Sequence, residues 1–295
     1  MPKIIVIGES GQLAQSLRKL PWPPGCDLAF HGRRSFQNEF GPDRVRDLVR
    51  AAGAHLVLNA AAYTAVDRAE SEPQAAAALN ADLPQALAGV CRALDLPLVH
   101  VSTDYVFDGE KRSPYLETDP TNPLSVYGAT KLTGEGNVAG AELRRWAILR
   151  TSWVISEIGE TFPVKLLRRA RAGAALRVVD DQWGCPTAAS DLAGAIQRLG
   201  LMLLDSDGAA SGLYHFCGAS EMSWHGLAGK LLDAAEDAGL KRPPLQAITS
   251  AELKAQARRP AYSVLSCARI KQACRLVGAG IEQDMRRMVQ LILAA

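Results

Sequence analysis

The sequence predicts an α/β chain built on a doubly wound parallel sheet. Two observations carry this: short apolar, β-branched runs alternate with stretches of helical periodicity through the first half of the chain, and the first such run ends at a glycine. Strands buried on both faces read as continuous hydrophobic runs, and KIIVIG at residues 3–8 is one.

The elements follow in order. GQLAQSLRKL carries helical spacing through Leu13, Leu17 and Leu20 and is stopped by PWPPG. DLAFH is a second strand, and PDRVRDLVRAAG is a helix with Pro42 at its start and Gly53 at its end. HLVLNAA is a third strand. Helical sequence runs from Glu72 to Leu94, with Pro84 resetting a turn or opening a new helix. PLVHVST and WAILRTS are the fourth and fifth strands. Between them lies a helix opening at VYGATK and running toward Arg145, weakened by Gly134, Gly136 and Gly140. The regular alternation assigns residues 1–152 to one domain and 153–295 to the remaining sheet elements and a smaller lobe. In the second part, FPVKLLRRARAG, ASDLAGAIQRLGLMLL, SWHGLAGKLLDAAEDAG (with a Ser N-cap) and IEQDMRRMVQLILAA read as helices. LRVVDD and GLYHFCG read as strands, and KRPPLQAITSAEL as loop plus a short turn.

Composition excludes several function classes. The 295 residues are 48% hydrophobic and 22% charged, with 33 basic and 31 acidic side chains and a net charge of +2. That balance gives no electrostatic footprint for nucleic acid or an anionic membrane. The apolar run at the start is too short for a signal-peptide core, and no stretch is long enough to span a bilayer, so a cytoplasmic protein is expected. The six cysteines form no C-x-x-C pair and the five histidines no H-x-x-x-H pair, so no metal site is assigned. Cys267 and Cys274, seven apart, read as one buried helix face, His215 as a satisfied strand histidine, and Arg168, Arg169 and Arg171 as a solvated helix end, contact with a diphosphate being the other reading.

Gly8-Glu-Ser-Gly11-Gln-Leu-Ala14 joins a buried strand to a helix. Gly8 permits the tight turn, Gly11 the close approach of a pyrophosphate, and Ala14 close helix–sheet packing. The helix N-terminus offers free N–H groups and a positive dipole end to phosphates. At the end of the second strand Gly32 stands where an NAD-binding domain places an acid, and Arg33 and Arg34 follow. A guanidinium can clamp a 2′-phosphate, which favours NADPH over NADH; two solvated loop arginines are the other reading.

Taken alone, Tyr127 and Lys131 could be an ordinary helix aromatic and a solvated lysine. Context changes that. Ser102 and Thr103 end the fourth strand, and ligands of parallel sheets lie beyond the carboxyl ends of the strands. A Tyr-x-x-x-Lys one helical turn apart then brings a phenol and an ammonium beside that hydroxyl. Hydride addition to a carbonyl leaves an alkoxide. A phenol with a normal pKa of about 10 keeps its proton until that moment, and a nearby ammonium stabilises the tyrosinate that results. Thr103 can hold the carbonyl oxygen.

G-x-x-G-x-x-A, NAAAYT, STDYVFDG, YGATK, RTSWV and DDQWGCPT, in this order, resemble the extended short-chain dehydrogenase/reductases, and within them the dTDP-4-dehydrorhamnose reductases. The resemblance is good to about Gly218 and then thins. It implies a Rossmann-type fold and NADPH-dependent reduction of the C4 keto group of dTDP-4-dehydro-L-rhamnose, with NADH as a possible substitute. It also implies roles. Gly11, Gln12 and Leu13 would contact the pyrophosphate, and Arg33, Arg34, Glu39 and Phe40 the adenosine end. Ala62, Tyr63 and Thr64 would face the phosphates and ribose, and Val101 the nicotinamide. Tyr127 would be the acid and Lys131 the ribose-binding partner that tunes it. Thr103, Asp104, Trp153, Gln182, Trp183 and Pro186 would border the nucleotide-sugar. Asp104 is followed by Tyr105 and not by the glutamate of the related dehydratases, which fits simple reduction, and STDYVF lacks the cysteine expected of a GDP-fucose synthase. Some relatives bind magnesium near a dimer contact; the thin C-terminal match assigns no ligand here, Glu282 being only a candidate, and leaves monomer and homodimer open. Two other readings stand beside the reductase: action on a related deoxysugar nucleotide, and a non-catalytic role resembling the dinucleotide-binding regulatory subunit of methionine adenosyltransferase.

Overall fold

The computed structural model describes residues 1–36, 40–208, 210–276, 278 and 280–295. The first half runs β1 (Lys3–Ile7), α1 (Gln12–Lys19), β2 (Asp27–His31), α2 (Pro42–Ala51), β3 (Leu56–Asn59), α3 (Val66–Ser71), α4 (Pro73–Ala77), α5 (Leu83–Ala93), β4 (Leu98–Thr103), α6 (Val126–Ala139) and β5 (Trp146–Thr151). The second half adds β6 (Val154–Ile155), α7 (Phe162–Arg171), β7 (Leu176–Val179), β8 (Trp183–Gly184), β9 (Thr187–Ala188), α8 (Ala189–Asp205) and β10 (Gly212–His215). It closes with β11 (Met222–Ser223), α9 (Trp224–Asp237), β12 (Leu245–Ile248), α10 (Ser250–Leu253), α11 (Ala268–Cys274) and α12 (Glu282–Ala294).

The predicted parallel sheet is present, six strands in the order β10-β5-β4-β3-β1-β2, every neighbouring pair parallel. The β1–β3 step opposite β2 is where the strand order reverses, and the turn after β1 opens there. Each face of the sheet has its own core. Ile4, Val6, Leu56 and Leu58 pack with Leu13 and Leu17 of α1 and Leu192, Ile196 and Leu199 of α8. Ile5, Ile7, Val57 and Leu98 face Val45 and Val49 of α2 and Leu83, Leu87 and Val90 of α5. The alternation of β1 residues between these cores is the period-2 consequence of the pleat. A third core, built on Trp153, Leu166, Leu231, Met285 and Val289, belongs to the second half of the chain.

Several elements depart from their predicted form. The segment 245–248 is a strand paired in parallel with β7, from Leu245↔Leu176 to Ile248↔Val179, and not a loop; the prolines at 243 and 244 precede it and hid its short pattern. Thr249 then caps α10 with Glu252 in a reciprocal capping box. The helix carrying Tyr127 stops at Ala139, short of Arg145, with Gly140 as its C-cap. Between Glu72 and Leu94 the chain forms α4, a π turn at Ala78–Asp82 and α5, with Pro84 in the first turn of α5. Cys267 is the N-cap of α11, not part of a shared face with buried Cys274, and its Sγ lies 3.6 Å from Cys217 Sγ. His215 is buried and its Nδ1 lies 3.1 Å from Tyr115 O. Arg168 pairs with Glu160, and Arg171 reaches the carbonyl of Leu293.

Candidate active site

The carboxyl ends of β1, β2 and β3 surround a cavity of about 800 Å³, within the range of cofactor clefts. Gly8, Gly11, Arg33, Arg34, Phe40 and Ala62 line it, together with Glu9, Ser10, Arg18 and His31, which the sequence did not single out. Gly8 sits at φ +127°, a conformation that excludes a side chain, and its N–H donates to His31 O at 2.9 Å. A Cβ built on Gly11 would meet no protein atom within 4 Å, so the turn leaves open space at the N-terminus of α1, as a pyrophosphate cradle requires. Gln12 and Leu13 turn their side chains elsewhere. Gln12 Nε2 donates to Val154 O at 3.1 Å and its Oε1 accepts from Ser156 Oγ at 2.9 Å, while Leu13 is in the core, so neither lines the cavity, and what they can offer a phosphate is the first backbone N–H groups of the helix. Arg33 and Arg34 fall in a single 3-10 turn, Arg33–Phe36, on the cavity wall. Glu39 lies outside the described residues.

Beyond β3, Tyr63 N donates to Asn80 Oδ1 at 2.8 Å and Tyr63 OH to Glu72 Oε2 at 2.5 Å, which raises the phenol pKa. The same Asn80 donates to Thr130 Oγ1 at 3.2 Å and so ties this loop to α6; Thr64 is exposed beside it.

Four local features set the position of α6. Ser125 Oγ accepts from Gly128 N at 3.2 Å as N-cap, and Glu70 Oε1 accepts from Val126 N at 2.9 Å. Gly128 and Gly134 are the contact points: a Cβ at either would collide with a backbone carbonyl, of Tyr105 and of Asn80 respectively. These glycines weaken the helix by propensity and are required by its close approach. Lower down, Glu135 receives Arg150 of β5 in a buried two-point pair at 2.9 and 2.7 Å.

Tyr127 and Lys131 are thereby brought to the end of β4. The Tyr127 phenol lies near the Thr103 hydroxyl, which favours its ionised form, while burial dominates and pushes its pKa up to about 12. The Lys131 ammonium, 1% exposed, donates to Val101 O at 2.6 Å. Burial lowers its pKa to about 8, with Glu135 opposing. Thr103 donates to Asp104 Oδ1 at 3.0 Å and accepts from Tyr105 N at 3.2 Å. The hydroxyl expected to hold a carbonyl oxygen therefore directs its single proton to Asp104. Asp104 is 2% exposed, and burial lifts its pKa to about 7 against the hydrogen bonds from Ser263 and Thr103.

Ser263 and Arg259 were not legible as site residues. Ser263 Oγ donates to Asp104 Oδ2 at 2.5 Å. Arg259 holds Asp67 with Nη1–Oδ1 at 3.2 Å and Nη2–Oδ2 at 2.7 Å and lies near Tyr105, whose ring meets that of Tyr127 edge-on at 5.7 Å. Both belong to one strap that crosses beneath the strand end, where Trp183 N donates to Ala261 O and Ser263 N to Trp183 O, each at 2.8 Å.

The remaining predicted residues lie outside the glycine-turn cavity. Trp153 adopts φ +46° and stacks on Trp224 at 3.7 Å. A non-glycine residue in that region costs about 1–3 kcal/mol. Gly184 packs so closely on the Trp153 ring that a Cβ there would overlap it. Gln182 is buried and donates to Ser250 Oγ at 2.8 Å; Pro186 is buried; Trp183 is 43% exposed. Among the described residues no cluster of three His, Cys, Asp or Glu side chains could hold a metal ion, and Glu282 pairs with Lys230 at 3.4 Å. No helix of the described residues is long and apolar enough to cross a membrane.

A parallel sheet with a glycine turn at its switch point has the architecture of a dinucleotide-binding fold of the extended short-chain dehydrogenase/reductase type, and the predicted Thr-Tyr-Lys set stands at the end of β4. Comparison narrows the class. The model of the RmlD substrate binding domain matches residues 2–293. The dTDP-4-dehydrorhamnose reductase of Sinorhizobium fredii is 39% identical over 99% of this chain and 98% of that protein. That of Escherichia coli K12 is 35% identical over 97% and 96%. Among solved structures, a dTDP-4-dehydrorhamnose reductase of Bacillus anthracis in complex with NADP superposes with a TM-score of 0.89 at 28% identity, covering 97% of this chain and 98% of that one. The chain belongs to the dTDP-4-dehydrorhamnose reductase family.

Proposed function

We propose that this chain reduces the C4 keto group of dTDP-4-dehydro-L-rhamnose to give dTDP-L-rhamnose, with NADPH as reductant. The family membership supports the reaction, and the NADP-bound relative supports the cofactor. The observation that carries the reading is the meeting of Thr103, Tyr127 and Lys131 at the end of β4, two strands from the glycine turn of β1 in the same parallel sheet.

The dihydronicotinamide, when bound, supplies hydride to the ketone carbon. The residues do the rest. The open face at Gly11 and the first N–H groups of α1 receive the pyrophosphate, and Arg33 and Arg34 stand at the adenosine end. Tyr127 keeps its proton at neutral pH and gives it to the alkoxide oxygen. Lys131, fixed on Val101 O, holds a cation beside the developing tyrosinate and donates to the ribose. Thr103 donates to the substrate oxygen once Asp104 carries a proton of its own, which its pKa of about 7 allows near neutrality. Trp153 and residues 182–187 bound the nucleotide-sugar. In this reading residues 1–152 form the cofactor-binding part and 153–295 the substrate-binding part, with β10 returned to the main sheet. The protein is cytoplasmic and has a small-molecule substrate.

The test is substrate discrimination. Purified protein with NADPH is offered dTDP-4-dehydro-L-rhamnose and, separately, 4-keto-6-deoxy sugars on GDP and UDP, and products are identified by NMR. Turnover of the dTDP sugar at least tenfold above the others supports the assignment. Preference for another nucleotide moves it to a related deoxysugar reductase.

A further inference from the structure

The cofactor cavity carries a carboxylate that the strand-end pattern hides. In NAD-binding domains an acid at the end of the second strand accepts hydrogen bonds from the adenosine ribose hydroxyls. Here that position is Gly32. It is not open space. A Cβ built on Gly32 would overlap the Glu9 carboxylate and fall 2.9 Å from Glu9 Cβ. The side chain of Glu9, the residue after the first turn glycine, therefore fills the volume into which a strand-end side chain would project. Glu9 is exposed to the cavity, and Arg18, His31, Arg33 and Arg34 line the same wall.

We propose that Glu9 is a specificity-determining residue for the cofactor: it stands in for the missing strand-end acid, accepts the ribose 2′-hydroxyl, and opposes a 2′-phosphate. This rests on the reading that the cavity takes a nicotinamide dinucleotide. A carboxylate has acceptors only, so it pairs with a hydroxyl donor and repels a phosphate, which offers no proton and carries like charge. Arg33 and Arg34 act in the opposite sense, as forks for that phosphate. Glycine at 32 is then required sterically, because any larger residue would displace Glu9. The two opposed elements make the site accept both dinucleotides, with Glu9 setting the ratio.

The test reads binding, not turnover. Dissociation constants for NAD⁺ and NADP⁺ are measured by calorimetry for the wild type, Glu9→Gln and Glu9→Lys at one ionic strength. A lost charge-assisted hydrogen bond or a relieved repulsion of this kind changes affinity by roughly tenfold. Glu9→Gln is expected to weaken NAD⁺ and tighten NADP⁺, each by about that factor, and Glu9→Lys to move the ratio further the same way. Constants that stay unchanged, or that move together by one factor, overturn the role of Glu9 while leaving the cofactor reading intact. If the wild type binds neither dinucleotide, the cofactor reading falls and this inference falls with it.

Discussion

Ser263 Oγ donates to Asp104 Oδ2 at 2.5 Å, joining the end of β4 to a strap 159 residues further along the chain. Asp104 Oδ1 meanwhile takes the proton of Thr103. While Asp104 is ionised, that hydroxyl is committed to the carboxylate. When Asp104 is neutral, Thr103 is released toward substrate. kcat/KM should therefore fall as pH rises through about 7. Ser263→Ala removes a hydrogen bond that favours the ionised form, and should move this fall upward by about one pH unit. Asp104→Asn should abolish it. A pH–rate series on the three proteins checks this; superimposable profiles for the wild type and Ser263→Ala would contradict the coupling.

Tyr127→Phe removes the acid and leaves the ring. Turnover should drop by about 10²–10⁴, with the NADPH dissociation constant changed less than about twofold. Stopped-flow hydride transfer alongside fluorescence titration separates the two. Turnover near the wild-type level would mean another group delivers the proton.

Lys131 carries a cost in the free protein. Its folded pKa, about 8, is below the ordinary lysine value of 10.5, so it contributes stability that is fully present above the unfolded value and is lost as pH falls through about 8. Near pH 7 the buried ammonium is thus a penalty, on the order of 1–3 kcal/mol. Lys131→Met should make the free protein more stable at pH 7, with the gain shrinking toward pH 10, while turnover collapses. Urea unfolding at the two pH values measures it. A destabilised variant at pH 7 would show that the bond to Val101 O outweighs desolvation.

Gly128→Ala tests how closely α6 must approach. The new methyl would collide with Tyr105 O and come 3.0 Å from Pro123 Cβ. Moving the helix to relieve this should cost about 1–3 kcal/mol and shift Tyr127 away from Thr103. Gly136→Ala, whose Cβ meets nothing within 4 Å, should be neutral or stabilising. Denaturation midpoints of the pair check the contrast.

The parts of this site legible in the sequence were those carried by local spacing. The strand-to-helix turn at Gly8 and Gly11 and the one-turn spacing of Tyr127 and Lys131 need only the chain within a few residues, and alternating strands and helices fix which edge of the sheet they share. Long-range contacts were not legible. Ser263 and Arg259 reach β4 through a strap without secondary structure of its own, so no periodicity marks them. Glu9 reads as a spacer between glycines until Gly32 is placed beneath it. Residues 245–248 failed for a related reason: four residues preceded by two prolines show no strand pattern, and their identity comes from pairing with β7. Gly134 read as weakness in a helix and Gly128 was not singled out, because the carbonyls they admit come from distant segments.

The central claim is ketone reduction by NADPH on a dTDP sugar, with Tyr127 as the acid. The most direct measurement is nicotinamide absorbance with purified protein, NADPH and enzymatically prepared dTDP-4-dehydro-L-rhamnose, with the product identified. Stoichiometric consumption of NADPH and formation of dTDP-L-rhamnose are expected. Tightly bound NADPH that is not consumed would contradict it, and would point first to a different sugar nucleotide and then to a binding role without turnover.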